Sequence, residues 1–316
     1  MEVRELIRPR RSIAGMSAVL LPFDAGGDID WIGFEEHLTR TAAAGLVPAV
    51  NMDTGFGPSL APEQRARVLR IARSTVTGEL VAGAHVTDDP GAAFDPDAYR
   101  RELALITEAG LTPIVFPSYG LGAVHDAAIA DAHAAIARDV ERFLAFELGP
   151  MFHPAGRIFS LDTFAALLEV PQVVGLKHSS LDRAREWERL AVRDRRRPDF
   201  RVLTGNDLAI DMVIYGSDYL LGLSTFAPDA FAARDAAWKA GDEARFWAVN
   251  DVLQYLGRFA FRAPVPGYRH DAAMFLALRG WIGSDRTHDD SPSRPESDRA
   301  ILGAILDELR ALDALT

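Results

Sequence analysis

Lys177 closes the apolar run Val173-Val174-Gly175-Leu176, a setting that draws an amine out of water. Desolvation lowers an amine's pKa and frees its lone pair for attack on a carbonyl carbon. A lysine after such a run can equally face solvent or sit in a structural ion pair, so the local pattern names a candidate and nothing more. Other side chains able to move protons or hold an anion also follow short apolar runs: Asn51-Met52-Asp53-Thr54-Gly55, Pro117-Ser118-Tyr119, Phe146-Glu147, Gly205-Asn206-Asp207 and Leu223-Ser224-Thr225. Carboxylates, a phenol and an imidazole such as His178 serve as general acids and bases.

The elements that must carry these residues are legible as an alternation. Strand patterns fall at Ser17-Leu21, Val47-Asn51, Leu80-His85, Thr112-Phe116, Arg142-Phe146, Val173-Lys177, Phe200-Thr204 and Tyr219-Leu223. Each is short and nearly continuous in apolar residues, as strands buried on both faces are. Helical spacing fills the gaps, at Trp31-Ala44, Pro62-Ser74, Asp97-Ala109, Ala127-Val140, Leu161-Glu169, Leu181-Arg193, Asp207-Tyr215 and Pro228-Ala240. Gly45, Gly110, Gly216 and Gly241 stand where helices would stop. Eight strands alternating with helices predict an α/β fold, a (β/α)₈ TIM barrel over residues 1–241, with active-site residues at the strands' C-terminal ends. Residues 242–316 keep a helical period through Asp242-Phe261, Arg269-Trp281 and Ser297-Leu312, a C-terminal helical segment expected to pack on the barrel or on a neighbouring subunit. Gly283 to Pro295, rich in Asp, Ser and Pro, is expected to be a loop or a disordered linker.

Composition excludes several function classes. A net charge of −11 argues against nucleic acid as a partner. The absence of cysteine removes disulfides, thiolate metal sites and thiol nucleophiles. Arg8, Arg10 and Arg11 before Ile13-Leu21 imitate a signal peptide, but the stretch stops at Pro22-Phe23-Asp24 without a cleavage pattern and suits a first strand better. No apolar run approaches the ~20 residues of a membrane span, so the expected location is the cytoplasm. The histidines show no ligand spacing and no glycine-rich phosphate loop is present, so neither a metal nor a nucleotide cofactor is expected.

The order and spacing of these segments resemble the dihydrodipicolinate synthase and N-acetylneuraminate lyase family across about the first 240 residues. The likeness rests on Gly175-Leu176-Lys177-His178-Ser179-Ser180, Leu20-Leu21-Pro22-Phe23 before Gly27-Asp28-Ile29-Asp30, Thr54-Gly55, Pro117-Ser118-Tyr119 and Thr204-Gly205-Asn206-Asp207. It implies that Lys177 forms a Schiff base with pyruvate or a related 2-keto acid, making an electron sink for aldol or dehydration chemistry. It also implies that Thr54 and Gly55 hold the keto acid's carboxylate and that the chain assembles as a homotetramer or dimer. The implied class is a Schiff-base-forming lyase on a 2-keto acid or deoxy sugar acid.

Departures from the family pattern fall on its proton carriers. Asp53 stands where a hydroxyl residue is usual, and Phe146 where the fifth strand usually ends in a tyrosine. Authentic dihydrodipicolinate synthase activity is therefore not expected. Proton transfer would fall to Asp53 first, with Glu147, Tyr119 and His178 as the other candidates. Glu147 has an alternative as the partner of a rim arginine such as Arg157, and strand alternation turns His178 away from the lysine. Arg157, in the loop Gly149 to Arg157 with His153, is a candidate clamp for a distal anion or else a solvated arginine. Gly205, Asn206 and Ser224 complete the expected substrate-binding set, Asn206 and Asp207 being alternatively helix caps. Two other readings stand beside the lyase: a barrel that binds a keto acid without turnover, favoured by Phe146, and non-covalent acid/base chemistry on Asp53 and Glu147.

Overall fold

The computed structural model describes residues 2–316. Its eight strands are β1 Gly15–Ala18, β2 Val47–Val50, β3 Val81–Ala84, β4 Thr112–Val115, β5 Phe143–Leu148, β6 Val173–Ser179, β7 Arg201–Thr204 and β8 Asp218–Leu221. They pair in sequence order as a closed barrel, so the expected (β/α)₈ architecture is present. The α-helices are α1 Trp31–Ala43, α2 Pro62–Thr75, α3 Pro96–Glu108, α4 Tyr119–Ala123, α5 Ile129–Ile136, α6 Leu161–Leu167, α7 Arg183–Arg196, α8 Pro228–Ala240, α9 Glu243–Ala260, α10 Tyr268–Leu278 and α11 Asp298–Ala311.

The chain divides into two compact units. One comprises Met1–Arg8, Glu79–Asn206 and Met212–Leu220, and the other Pro9–Gly78, Asp207–Asp211 and Leu221–Thr316. Within the first, β3 to β8 form a run of parallel neighbours, with Ala84 opposite Val115, Phe146 opposite Lys177 and Lys177 opposite Leu203. Its strands are apolar because both faces are covered, and Ile114, Leu144, Leu176, Val202 and Leu203 are at most 1% exposed. Within the second, β1 and β2 pair in parallel, Ser17 opposite Pro48. Helices α8 to α11 belong to this second unit, whose core includes Phe246, Leu253, Phe275, Leu302 and Leu309.

Gly45, Gly110, Gly216 and Gly241 sit at φ of 89°, 82°, 109° and 80°, the left-handed region in which a Cβ is strained. Three helical expectations need correction. Ala127 to Val140 is not one helix, since α5 is flanked by single 3₁₀ turns at Asp126–Ala128 and Ala137–Asp139. Asp207 to Tyr215 forms only a 3₁₀ turn over Ile210–Tyr215. The Asp207 carboxylate accepts from Leu223 N at 2.7 Å and its carbonyl from Gln254 Nε2 at 3.1 Å, which ties Asp207 to two other segments and ends its reading as a helix cap. Helix α10 stops at Leu278, before Gly280 at φ 69°. An additional short helix, α4, arises because the Asp88 carboxylate takes Tyr119 N at 2.7 Å and Gly120 N at 2.8 Å.

The segment Gly283 to Pro295 is a loop but not a disordered linker. Arg294, 7% exposed, donates to Asp271 Oδ2 at 3.1 Å and to the carbonyls of Ala260, Arg262 and Pro264 at 2.7–3.1 Å. A buried guanidinium with that many acceptors fixes the chain on both sides of it. His288 in the same loop stacks on Phe56 with ring centres 5.7 Å apart.

Candidate active site

Strand β6 does not end at Lys177; it runs two residues further, through His178 and Ser179. Lys177 is half-buried and its Nζ lies 4.5 Å from the centre of the Phe146 ring, on the neighbouring strand at the same register. Phe146 meets Phe116 edge-on at 5.1 Å, and Phe116 meets His85 at 4.2 Å. Three rings thus extend from the lysine toward His85. Phe116 and Phe146 are 5% exposed and His85 is 7% exposed. Gly205 follows β7 and leaves room for the lysine, because a Cβ there would stand 2.8 Å from Lys177 Cε and closer still to Ser179 Oγ.

Successive strand side chains point to opposite faces, so Glu147 and His178 share the face opposite Phe146 and Lys177. Arg189 of α7 bonds Glu147 on that face, which makes it the helix-covered side. Glu147 is 0% exposed. Its Oε1 accepts from Arg189 Nη2 at 2.6 Å and from Phe159 N at 2.9 Å, and its Oε2 from Arg189 Nε at 2.8 Å and His178 Nδ1 at 2.5 Å. Burial pushes the Glu147 pKa up, but the hydrogen bond and charge of His178 and the charge of Arg189 outweigh it and hold the carboxyl below its ordinary value. An ionised carboxylate can only accept, so His178 Nδ1–H donates to it, and His178 Nε2 lies 2.6 Å from Ser180 Oγ.

Glu147 as a proton carrier at the mouth is therefore corrected: both oxygens are committed behind the strand. The same alternation removes His178, 1% exposed, from substrate contact. Arg157 is neither the partner of Glu147 nor a free clamp, since it bonds Asp126 Oδ1 at 3.0 Å and the carbonyls of Gly122 and Val124. Tyr119 is half-buried and packs on His153 at 6.0 Å. Asn206 is 3% exposed, and its N donates to Thr204 Oγ1 at 3.3 Å.

The second unit holds the threonine-glycine turn. Asp53–Gly55 is a 3₁₀ turn after β2, and Thr54 is 2% exposed. Gly55 is required there, since a Cβ would stand 2.9 Å from the Val19 carbonyl oxygen. Thr54 Oγ1 lies 2.8 Å from the hydroxyl of Tyr268, which also donates to Asp53 Oδ2 at 3.3 Å. Burial, reinforced by the Asp53 charge, pushes the Tyr268 pKa well above its ordinary value, so this phenol stays protonated. Asp53 itself has a side chain 59% exposed, with Arg269 Nη1 3.6 Å from Oδ1. Ser224 is 0% exposed and its hydroxyl donates to Leu221 O at 2.9 Å, which takes it out of the expected binding set.

One residue, Tyr268, was not legible from the strand ends. Tyr268 starts a helix far along the chain, and no local pattern links it to Thr54. A count adds weight to Lys177: of 34 basic residues only Lys177 and Lys239 are lysines. A guanidinium stays protonated and cannot form a Schiff base, so side-chain amine chemistry has only two addresses. Lys239 is exposed on α8. Among the described residues no group of three or more His, Asp or Glu is arranged to hold a metal ion. Among them, too, no helix is long and apolar enough to cross a membrane.

A closed parallel barrel with a half-buried lysine on its sixth strand defines the class as a (β/α)₈ barrel. Its solved likenesses agree on the fold. YagE of Escherichia coli K12, a prophage protein of the dihydrodipicolinic acid synthase family in complex with pyruvate, is 18% identical with a TM-score of 0.81, covering 96% of this chain and 99% of that one. Dihydrodipicolinate synthase of Thermotoga maritima is 17% identical with a TM-score of 0.79, covering 96% and 99%. Among curated proteins, 4-hydroxy-tetrahydrodipicolinate synthase of Pseudomonas aeruginosa is 27% identical over 271 residues, 80% of this chain and 86% of that protein. An uncharacterized DapA-like lyase of Halobacterium salinarum is 27% identical over 302 residues, 93% of each. The chain belongs to the family described as "Protein of unknown function (DUF993)", whose profile matches residues 22–288, and is a divergent member of the dihydrodipicolinate synthase family.

Proposed function

We propose that this lyase-family barrel acts on a 2-keto acid, pyruvate or a relative of it, through a Schiff base on Lys177. The observation that carries the reading is the half-buried lysine of β6 lying on the Phe146 ring, one of two lysines in the chain. The neutral amine attacks the ketone carbon, forming a C–N bond while the carbonyl oxygen takes up a proton. Loss of that oxygen as water leaves the iminium cation, which withdraws electrons from the adjacent carbon and lets its proton, or a C–C or C–O bond, be released.

Phe146 cannot carry a proton, but its ring face attracts a cation, so it favours the iminium over the neutral carbinolamine that precedes it. Thr54 and Gly55 remain the proposed seat of the carboxylate. Among the proton carriers named from sequence, Glu147 and His178 drop out, which leaves Asp53 and Tyr119.

Incubation with pyruvate and borohydride, then mass analysis of peptides, tests the reading. The expected adduct is on Lys177 and not on Lys239, persists in Lys239→Arg and disappears in Lys177→Arg. No adduct with any of a panel of 2-keto acids would overturn it. Exchange of pyruvate methyl protons for deuterium then reports enamine formation without requiring knowledge of the second substrate.

A further inference from the structure

The buried network behind β5 and β6 has no part in the chemistry above, yet it sits one residue from both Phe146 and Lys177. We propose that Glu147 and Arg189 are positioning residues: their ion pair pins the β5–β6 register that places Lys177 on Phe146, and their opposed charges set the reactivity of the amine through the sheet. The proposal builds on the assignment of Lys177 as the reactive amine.

The register supports the first half. Phe146 pairs with Lys177 and Glu147 with His178 on adjacent rungs, so the Glu147–His178 bond of 2.5 Å crosses the strand seam one rung beyond the lysine. A slip of one residue would move every side chain of a strand to the other face. Here it would carry Glu147 to the lysine's side and strip it of Arg189, His178 and Phe159 N. A buried carboxylate without partners is far costlier than a displaced apolar residue, so the pair penalises the slip strongly. Arg189 extends the hold to α7 and to the chain after β5, donating to the carbonyls of Arg185 at 3.1 Å and Phe159 at 2.8 Å.

Charge supports the second half. Glu147 is 0% exposed and Arg189 2% exposed, so water screens neither. The charged and titratable groups gathered on this face are Glu147 from β5, His178 from β6, and Arg183, Glu186 and Arg189 from α7. Glu186 is held toward its neutral form by burial, with Ser217 Oγ at 2.5 Å and Thr204 Oγ1 at 3.0 Å on its oxygens. Glu147 and Arg189 then largely cancel. Removing one leaves the other's charge behind the lysine, with opposite consequences for its protonation.

Acetylation of Lys177 by acetic anhydride across pH, with the exposed Lys239 as internal reference, reads this without any Schiff base. In Glu147→Gln the midpoint for Lys177 is expected to fall, and in Arg189→Gln to rise, each by about half a pH unit for a charge held at low dielectric. Glu147→Leu/Arg189→Met removes both buried charges and avoids the unpaired ion that could unfold a single variant. It is expected to keep the wild-type midpoint but to react with a separate loss of at least about fivefold in pyruvate trapping. Single variants that shift in the same direction or not at all overturn the charge role, and a double variant that traps pyruvate at the wild-type rate overturns the pin. Absence of any adduct in the wild type would sink the Schiff-base reading alone: the acetylation midpoints still decide the charge role, and a Lys177 acetylation rate in the double variant equal to that of the wild type would still overturn the pin.

Discussion

Lys177 Nζ stands 4.5 Å from the centre of the Phe146 ring, on adjacent parallel strands at the same register. This contact puts an aromatic face where the family pattern has a proton-carrying phenol. The ring offers the nitrogen proposed to react an electrostatic partner in place of an acid.

Phe146→Leu is accordingly expected to slow pyruvate trapping on Lys177 while leaving the barrel folded. A cation over an aromatic face gains about 1 kcal/mol, which corresponds to about a fivefold loss of rate if the whole of it is expressed in iminium formation. Stopped aliquots reduced with borohydride give the rate, and a variant as fast as wild type would exclude this role for the ring.

Gly205→Ala is expected to disturb the lysine more than the fold. The added Cβ would stand 2.8 Å from Lys177 Cε and press on Ser179 Oγ, so the flexible lysine chain must move away. Overpacking of this kind costs about 1–3 kcal/mol. Trapping should fall at least about tenfold while far-ultraviolet circular dichroism stays unchanged; retention of wild-type trapping would show that the lysine does not depend on that space.

Tyr268→Phe removes a buried hydroxyl from Thr54 Oγ1, 2.8 Å away, and from Asp53. Thr54 is 2% exposed, so water does not readily replace the lost partner. A loss of about 1–3 kcal/mol is expected in urea unfolding, the range for stranding a buried polar group. No change in the unfolding midpoint would mean that another group takes the threonine hydroxyl.

Stability is expected to decline as the solution is acidified below about pH 6.5. Burial, aided by the charges of Arg40 and Arg279, lowers the His37 pKa to about 3, and burial against the opposing Ile129 carbonyl bond lowers that of His133 to about 4. Both folded values lie below the unfolded one, so the unfolded chain binds more protons as pH drops. The stabilisation is complete above pH 6.5 and is lost on descending toward pH 4 for His133 and pH 3 for His37, at about 1 kcal/mol per pH unit for each imidazole. Urea midpoints from pH 7.5 to 4.5 measure the slope, which His133→Gln should reduce; equal slopes in variant and wild type would contradict the assignment.

Much of the fold was legible because its signals are local. Strands covered on both faces must be apolar over a few consecutive residues, and the eight patterns fall within a few residues of β1 to β8. Glycine at a helix stop is equally local, since the constraint is one backbone angle. Where a local pattern met a competing side-chain bond it failed, as at Asp207, whose carboxylate is taken by Leu223 N. The disorder expected of Gly283 to Pro295 failed for a related reason: one buried arginine, Arg294, outweighs a polar composition.

What the sequence by itself determined is the barrel and the lysine on its sixth strand, because each is written in residue type and short-range period. Which partners the other candidate residues meet was decided only by tertiary structure. Glu147 meets Arg189, which is 42 residues away, and Thr54 meets Tyr268, which is 214 residues away. Alternation can say that Glu147 and Phe146 point to opposite faces, but it does not say which side is covered by a helix or which cation waits there. Those pairings follow from how folded elements pack, and packing is a property of surfaces brought together across the chain.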